Sequence, residues 1–197
     1  MRNARLDIRP TNGALGAEIH GVDLARPVDD GAIGEPIGAN AFMMCHGHES
    51  WHPSPEFYYE VGGGPMLDMG PYYITNLINL LGPVKRVAAL AGTARKRRPI
   101  SSAPRKGEMI AVKTPTSYHA LLEFASGAQV TLSTSWDVFA HRHGNMELYG
   151  TEGALFLPDP NWFGGDLFIA GTDTVVKPLA SWDHPFGKTN DTVHGDH

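Results

Sequence analysis

The stretch GGGPMLDMGPYYITNLINLLGP (residues 62–83) predicts the longest helix of this chain. Three glycines precede it, and Gly82 and Pro83 end it, because glycine favours the position after a helix and proline cannot continue one. Apolar residues cover most of its surface, which predicts a helix buried on nearly all sides. Pro71 removes a backbone donor inside it and predicts a bend at that point.

The polar residues of this helix recur at helical spacing and form one stripe: Asp68, Tyr72, Thr75, Asn76 and Asn79. Because buried polar groups need hydrogen-bond partners, the stripe lines either a hydrogen-bonded core or the wall of a cleft. In the first case Asp68 and Tyr72 form a buried pair one helical turn apart, without a ligand. In the second case both side chains face a substrate.

The composition is that of an ordinary globular protein, with 197 residues of which 42% are hydrophobic and 19% charged. A formal net charge of -5 argues against nucleic acid as a partner. The single cysteine, Cys45, excludes an intrachain disulfide and fits a reducing compartment. No apolar run approaches the length of a membrane span. We therefore expect a cytoplasmic protein that contacts neither nucleic acid nor membrane.

The second half of the chain predicts a sheet. Strands are expected over 84–94, 109–113, 117–124, 128–136, 145–149, 154–157, 167–170 and 174–178. Ser126-Gly127 and Thr151-Glu152-Gly153 are hairpin signals between them. Successive hairpins give a large, mostly antiparallel open sheet with helices on one face, and therefore an α+β fold. The other face is left to solvent or to a partner.

The segment HESWH (residues 48–52) matches the His-Glu-x-x-His pattern of zinc peptidases. That chemistry needs two histidines one helical turn apart as ligands, with the glutamate as general base. The context argues against it, because the preceding run predicts a strand and Pro53 disfavours helical geometry at His52. We therefore predict no metal site in this segment.

Two further clusters have structural rather than chemical interpretations. One is a basic cluster made of Arg95-Lys96-Arg97-Arg98 and Arg105-Lys106. It lacks interleaved aromatic residues and a nucleic-acid motif, so we predict that it is a solvated loop. The run Gly62–Gly64 lacks the Walker and dinucleotide patterns, so we expect it to serve close packing at the helix entry.

A family resemblance is carried by residues 33–87 and 112–169. Its most specific part is the pattern Gly-Gly-Gly-x-x-x-Asp-x-Gly at 62–70. They resemble the C-terminal domain of the glucose–fructose oxidoreductase / inositol dehydrogenase / rhizopine-catabolism (Gfo/Idh/MocA) family, over residues 32–186. The resemblance implies a domain of an NAD(P)-dependent oxidoreductase that acts on a sugar, cyclitol or related polyol. It also implies a homo-oligomer formed through the open sheet face, which is commonly the dimer interface in that family.

The resemblance also implies catalytic residues. The family motif usually reads Asp-x-Gly-x-His, and its Asp and His relay protons and contact substrate. Asp68 occupies the first position, whereas Tyr72 stands in place of the histidine. A tyrosine can donate a proton, but its ordinary pKa of about 10 makes it a poor base. Tyr72 thus departs from imidazole chemistry at this position.

Four more residues complete the predicted site. Trp51 and His52 take the place of a tryptophan and a substrate-contacting basic residue that often lie upstream of the family motif. Thr75 and Asn76 belong to the polar stripe of the helix and are predicted to contact substrate.

Residues 1–31 are predicted to be an appendage containing a pair of strands. The string GALGAEIHGVDLARPVDD (residues 13–30) resembles the opening of the taurine dioxygenase family of oxoglutarate-dependent iron enzymes. Their iron site needs two histidines and a carboxylate. The one His-x-Asp string here is His194-Gly195-Asp196, inside a predicted C-terminal tail over 187–197. A dioxygenase remnant is therefore our third and weakest hypothesis, and it predicts Fe(II) binding by His194 and Asp196.

The nucleotide-binding half of the resembling family has no counterpart in this sequence. The string closest to its Glu-Lys-Pro motif is Gly34-Glu35-Pro36, which has no lysine. Because hydride transfer needs the nicotinamide held against the substrate, we expect a truncated or fused product that is inactive alone, with NAD or NADP bound elsewhere. One hypothesis is the substrate-binding and assembly domain of an oxidoreductase. The other is a non-catalytic, self-associating sugar-binding module.

Overall fold

The fold is organised around one large sheet. A computed structural model describes residues 7–10, 17–20, 28, 30–161 and 165–182. The strands in this part are β1 (Asp7–Pro10), β2 (Ala17–His20), β3 (Pro36–Met44), β4 (Val84–Gly92), β5 (Arg97–Pro99), β6 (Met109–Ala111), β7 (Ser117–Phe124), β8 (Gln129–Ser135), β9 (Met146–Gly150), β10 (Ala154–Leu157), β11 (Gly165–Ala170) and β12 (Val176–Trp182). The helices are α1 (Glu56–Tyr59), α2 (Pro65–Asp68) and α3 (Gly70–Leu81), with a 3-10 turn at His48–Ser50.

The large sheet has eight strands in the order β12-β11-β10-β9-β3-β8-β7-β4. Its pairs are antiparallel except for β3 and β8, which run parallel, with Asn40 opposite Thr131. The predicted hairpins at Ser126-Gly127 and Thr151-Glu152-Gly153 join β7 to β8 and β9 to β10. The predicted α+β fold with a mostly antiparallel sheet is therefore confirmed, and the parallel pair is an addition to it.

Two small sheets accompany the large one. The strands β1 and β2 pair antiparallel, as expected for the N-terminal segment, with Ile8 opposite Ile19. The strands β5 and β6 form the second small sheet. Strand β5, at Arg97–Pro99, lies in the region expected to be a solvated loop. The predicted tail 187–197, with His194 and Asp196, lies outside the described residues.

The single continuous helix predicted over residues 62–83 is wrong. Helix α2 ends at Asp68 and α3 begins at Gly70, with Met69 between them. Pro71 has no N–H for the carbonyl of Leu67, so the helical ladder is interrupted at this point. In the first turn of α3 the proline is tolerated, because the N–H groups there have no partner within the helix. The helix ends as predicted at Gly82, whose N–H donates to Ile78 O at 2.9 Å.

One side of α3 packs on the sheet. Its residues Tyr73 and Leu77 are fully buried with Ala41 and Leu132 in the main hydrophobic core. The other side is open, and Ile78 is 44% exposed. The expectation of a helix buried on nearly all sides is therefore wrong, because only one face meets the sheet. Among the described helices, none is long and apolar enough to cross a membrane.

The opposite face of the sheet carries apolar side chains without cover in the described part of the chain. Leu90 is 79% exposed and Leu121 is 63% exposed. Along β7, residues of the other parity such as Leu122 and Phe124 are buried towards the helices. This is the alternation expected of a sheet with one packed face.

The glycine run before α2 meets two backbone constraints. Gly62 has φ 94° and Gly64 has φ 91°, a region that residues with a side chain adopt only with strain. A Cβ on Gly62 would meet nothing within 4 Å. A Cβ on Gly64 would lie 2.9 Å from the carbonyl oxygen of Pro115. The run thus allows close backbone packing at the helix entry.

We expect Gly64→Ala to lower the free energy of unfolding more than Gly62→Ala. Both variants carry the strain of a positive φ, about 1–2 kcal/mol. Gly64→Ala adds a clash with a backbone oxygen, about 1–3 kcal/mol more. Urea unfolding followed by tryptophan fluorescence measures the difference. Equal losses in the two variants would show that Pro115 gives way without cost.

Candidate functional site

A cavity of about 360 Å³ opens where β3 ends. The end of β3, the 3-10 turn and the helices α1, α2 and α3 form one side, and the segments before β9 and after β10 form the other. Its lining combines carboxylates, amides, hydroxyls and aromatic rings: Met43, Met44, Cys45, His48, Trp51, Tyr58, Asp68, Met69, Tyr72, Tyr73, Asn145, Asp159 and Asn161.

An imidazole and a carboxylate face each other in this cavity. His48 Nε2 lies 3.3 Å from Asp68 Oδ2, and the side chains are 13% and 34% exposed. The distance is that of an ion pair, but Nε2 is buried and has no aligned hydrogen-bond partner among the described residues. On the other side of the ring, Trp51 Nε1 donates to His48 Nδ1 at 3.2 Å. Tyr58 and Trp136 pack on the ring, with centroids 4.3 and 4.7 Å away.

A second polar cluster lines the same cavity. Asn145 Nδ2 donates to Tyr73 Oη at 3.2 Å, and Tyr73 Oη donates to Asp159 Oδ1 at 3.0 Å. Burial, followed by the charge of Asp159, raises the pKa of Tyr73 far above its ordinary value. Tyr73 therefore stays protonated and acts as a donor.

Two more lining groups are kept neutral. Burial and the charge of Asp68 raise the pKa of Tyr58. Burial also raises the pKa of the Cys45 thiol. Neither group is thus a base or a thiolate nucleophile at neutral pH.

A buried ion cluster lies beneath the 3-10 turn and is centred on Arg98, which is 3% exposed. Its Nε donates to Glu49 Oε1 at 2.6 Å and its Nη1 donates to Asp137 Oδ1 at 2.7 Å. Its Nη2 donates to the carbonyl oxygens of His46 and Trp136. The expectation of a solvated basic loop is wrong for Arg98, because β5 turns this side chain inward to meet two acidic residues.

The turn that carries His48 is fixed by the same cluster. The Tyr59 hydroxyl donates to Glu49 and accepts from the backbone N–H of His48 at 3.3 Å. Gly47 has φ 99°, and a Cβ there would lie 2.4 Å from Tyr59 Oη and 2.7 Å from Arg98 Nη2. A glycine is therefore required at this position.

The segment HESWH does not have the geometry of a zinc peptidase. His48 stands on a 3-10 turn, and the Glu49 carboxylate is engaged by Arg98 and Tyr59. His52 Nδ1 accepts from the backbone N–H of Ser54 at 3.0 Å. Within the described residues, no three His, Cys, Asp or Glu side chains form a metal-binding group.

Three of the six predicted site residues meet in the cavity, namely Asp68, Tyr72 and Trp51. The alternative of a buried Asp68–Tyr72 pair is wrong, since Asp68 faces His48 and Tyr72 is 41% exposed. Three do not line the cavity. Thr75 is exposed, Asn76 donates to Tyr72 O at 3.1 Å, and His52 packs at 5.2 Å from the Phe57 ring. Their substrate contacts stay predictions.

Several lining residues have no local signal in the sequence. Tyr73 has the apolar spacing of a core residue, and Asn145, Asp159 and Asn161 lie in loops far along the chain. Only tertiary packing brings them to Asp68. His48 belongs to the HESWH pattern, but its place at the cavity beside Asp68 depends on tertiary packing.

The glycine run does not have the open backbone of a phosphate-binding loop. The glycine run faces protein backbone, since a Cβ on Gly63 would lie 2.4 Å from Tyr58 O and one on Gly64 would lie 2.9 Å from Pro115 O. The helix that follows, α2, has four residues. This packing leaves no open cradle for a pyrophosphate at the run.

A larger depression, of about 580 Å³, lies on the open face of the sheet. Asn40, Leu121, Thr131 and Tyr149 are among its lining residues. We place the candidate site in the smaller cavity, because that cavity contains the carboxylate, imidazole and hydroxyl groups that proton transfer needs.

Comparison with known proteins identifies the family. The family model described as "GFO/IDH/MocA C-terminal domain" matches residues 21–156. The chain belongs to the GFO/IDH/MocA family. The match begins before residue 32, inside the segment expected to be an appendage. The predicted limits of that appendage, and its taurine dioxygenase resemblance, stay predictions.

Solved structures share the fold of this GFO/IDH/MocA domain. An NAD binding oxidoreductase from Klebsiella pneumoniae superposes with a TM-score of 0.64 at 24% identity, over 80% of this chain and 43% of that one. A levoglucosan dehydrogenase in complex with NADH and L-sorbose superposes with a TM-score of 0.63 at 20% identity, over 85% of this chain and 46% of that one. The transcriptional regulator Gal80p from Kluyveromyces lactis superposes with a TM-score of 0.66 at 14% identity, over 85% of this chain and 43% of that one.

The chain thus spans less than half the length of these structures. At such identities the likeness establishes the fold alone. No curated protein matches the chain.

Proposed function

We propose that this domain forms the substrate side of an NAD(P)-dependent oxidoreductase that acts on a sugar, cyclitol or other polyol. The observation that carries the proposal is the Asp68 carboxylate, paired with His48 at the wall of a cavity rich in hydroxyl and amide groups. Family membership supports the reaction class. A nucleotide-binding domain outside the described residues would hold NAD or NADP.

The lining favours a neutral substrate. Asp68 and Asp159 are both in the wall, whereas no lysine or arginine is among the lining residues that the structure describes. Carboxylates accept hydrogen bonds from hydroxyl groups, and amides both accept and donate them. The carboxylate charges disfavour phosphate or carboxylate groups through repulsion. Trp51, which is 44% exposed, offers an aromatic face to the C–H side of a sugar ring.

Asp68 is the proposed proton acceptor of this site. Its carboxylate is one-third exposed to the cavity, so a substrate hydroxyl can hydrogen-bond to it and then transfer its proton. Tyr72, with its hydroxyl at the same cavity, is proposed to donate a hydrogen bond to substrate. The nicotinamide, held elsewhere, would supply the hydride acceptor.

Titration calorimetry with a matched panel tests the proposal. The panel consists of myo-inositol, sorbitol and D-glucose against D-glucose 6-phosphate and D-gluconate, each with and without NADH. We expect binding of one or more neutral compounds and none of the anionic ones. Preferential binding of the anionic compounds would refute the proposed substrate class. Tight NADH binding by this chain alone would refute the placement of the cofactor elsewhere.

A non-catalytic sugar-binding module is the second candidate. The transcriptional regulator Gal80p shares this fold, and Tyr72 stands where the family motif usually has histidine. Coexpression with a family nucleotide-binding domain, followed by an assay for NADH formation, separates the two.

We also propose that the open sheet face joins two copies of the domain. Leu90 and Leu121 expose most of their apolar surface on this face, next to polar groups such as Thr131. Exposed apolar side chains grouped on one sheet face are typical of a protein interface.

We expect Leu121→Glu to convert the self-associated protein to a monomer, because a charge would be buried at the contact. Leu67→Glu is the matched control, since Leu67 is 61% exposed and Leu121 is 63% exposed but they lie on different surfaces. Sedimentation velocity at micromolar concentration measures the oligomeric state. A wild-type protein that sediments only as a monomer would overturn the proposed interface.

A further inference from the structure

We propose that His48 is a positioning residue that directs a proton at Asp68, and that Trp51 sets its tautomer. This inference rests on the proposed function for its catalytic meaning, but its structural part is testable without a ligand.

The tautomer follows from the hydrogen-bonding chemistry of indole. The Trp51 Nε1–H group is a donor only, and it lies 3.2 Å from His48 Nδ1. Nδ1 must therefore offer its lone pair, so the proton of the neutral imidazole is on Nε2. The ring is held in this orientation by packing against Tyr58 and Trp136.

The Nε2–H group then faces the carboxylate. Nε2 is buried and without an aligned partner in the described part of the chain, and Asp68 Oδ2 is 3.3 Å away. A buried donor needs an acceptor. We assign Asp68 Oδ2 as this acceptor, because it is the carboxylate oxygen at 3.3 Å and its side chain, 34% exposed, has room to align with Nε2–H. Oδ1 is then left for a substrate hydroxyl.

The arrangement assigns different roles to the two groups. Nδ1 accepts from Trp51 and Nε2 carries the proton, so the imidazole has no free lone pair with which to accept a second proton. Asp68 remains the acceptor at the cavity, and His48 orients it. The 3-10 turn that carries His48 is locked by Glu49 and Arg98. An exposed histidine at position 72 would have no such support.

Nitrogen-15 NMR of the histidine-labelled chain tests the structural part in the absence of ligand. We expect a one-bond proton coupling on His48 Nε2 and, in a chain labelled at tryptophan as well, a coupling across the hydrogen bond between Trp51 Nε1 and His48 Nδ1. Asp68→Ala is expected to shift the Nε2–H proton resonance. A proton on Nδ1, or an Nε2–H resonance that Asp68→Ala leaves unchanged, would overturn the inference even if sugars bind.

A pair of variants tests the functional part with the neutral compound that the calorimetric panel identifies among myo-inositol, sorbitol and D-glucose. His48→Phe keeps a ring but removes the donor, and we expect about tenfold weaker binding. His48→Gln keeps an N–H at similar reach, and we expect affinity within about threefold of wild type.

His141→Phe, on an exposed loop, is the control. Equal affinities of His48→Phe and His141→Phe would overturn the inference, whereas an absence of any sugar binding would overturn the proposed function and leave the NMR result to decide the tautomer.

Discussion

Arg98→Ala is expected to lower the free energy of unfolding by about 3–5 kcal/mol, because it leaves buried carboxylates without their counterion. Glu49 is 6% exposed and forms its 2.6 Å contact with Arg98. Asp137 is held by Arg98 Nη1 and by the hydroxyl of Thr116 at 2.5 Å. Two backbone carbonyls lose their donor in the same variant. Urea unfolding at neutral pH measures the effect.

The neighbouring strand position offers a matched control. Arg97 lies one residue earlier on β5 and is exposed. We expect Arg97→Ala to change the free energy of unfolding by less than about 0.5 kcal/mol. Arg98→Lys keeps the charge but loses the planar guanidinium. Its loss in the free energy of unfolding should therefore lie between those of Arg97→Ala and Arg98→Ala. Equal stability of Arg97→Ala and Arg98→Ala would refute the central role of the cluster.

The cluster also couples stability to the site. It holds the carbonyl of His46 and the side chain of Glu49 on either side of His48. In any Arg98 variant that remains folded, we expect the NMR coupling across the hydrogen bond between Trp51 Nε1 and His48 Nδ1 to weaken. A variant that loses stability but retains this coupling would show that the turn is held by other contacts.

Asp68→Asn is expected to weaken the binding of a neutral polyol about 10- to 100-fold. A hydrogen bond to a charged group contributes about 1.5–3 kcal/mol, and about 1.4 kcal/mol corresponds to a factor of ten. The substitution preserves shape, and the side chain is 34% exposed, so the fold should be retained. Calorimetry with the compounds of the panel measures the loss.

Asp166→Asn is the control for this prediction, because Asp166 is an exposed carboxylate on β11. The affinity of the Asp166→Asn variant for the same compound should equal that of the wild type. If Asp68→Asn also binds as the wild type does, the carboxylate does not contact substrate, and the role assigned to Asp68 is wrong.

Local signals predicted a large part of the fold. Ser126-Gly127 and Thr151-Glu152-Gly153 placed two hairpins correctly, since a short turn determines which strands pair. Gly82 marked the end of α3. The break at Met69 was harder to place. Pro71 was expected to bend a continuous helix, whereas the structure uses it to begin a new one.

Long-range pairing was beyond the sequence. Strand β3 lies between β9 and β8, and its parallel pairing with β8 joins segments separated by helices and four other strands of the chain. The arginine cluster shows the same limit. In sequence, Arg97 and Arg98 are alike, but the alternation of β5 exposes the first and buries the second. Without knowledge of that strand, both were assigned to solvent.

The sequence by itself determined the family, most strands of the large sheet and the place of Asp68 on a helix beside a glycine run. These depend on local patterns of apolar residues, glycine and proline. The strand expected over 109–113 pairs instead with β5 in a small sheet. Only the tertiary structure decided that Asp68 faces His48, that Trp51 engages the same imidazole, and that Arg98 fixes their turn. The physical reason is that a buried donor or charge takes whichever partner the packing brings within reach, irrespective of its distance along the chain.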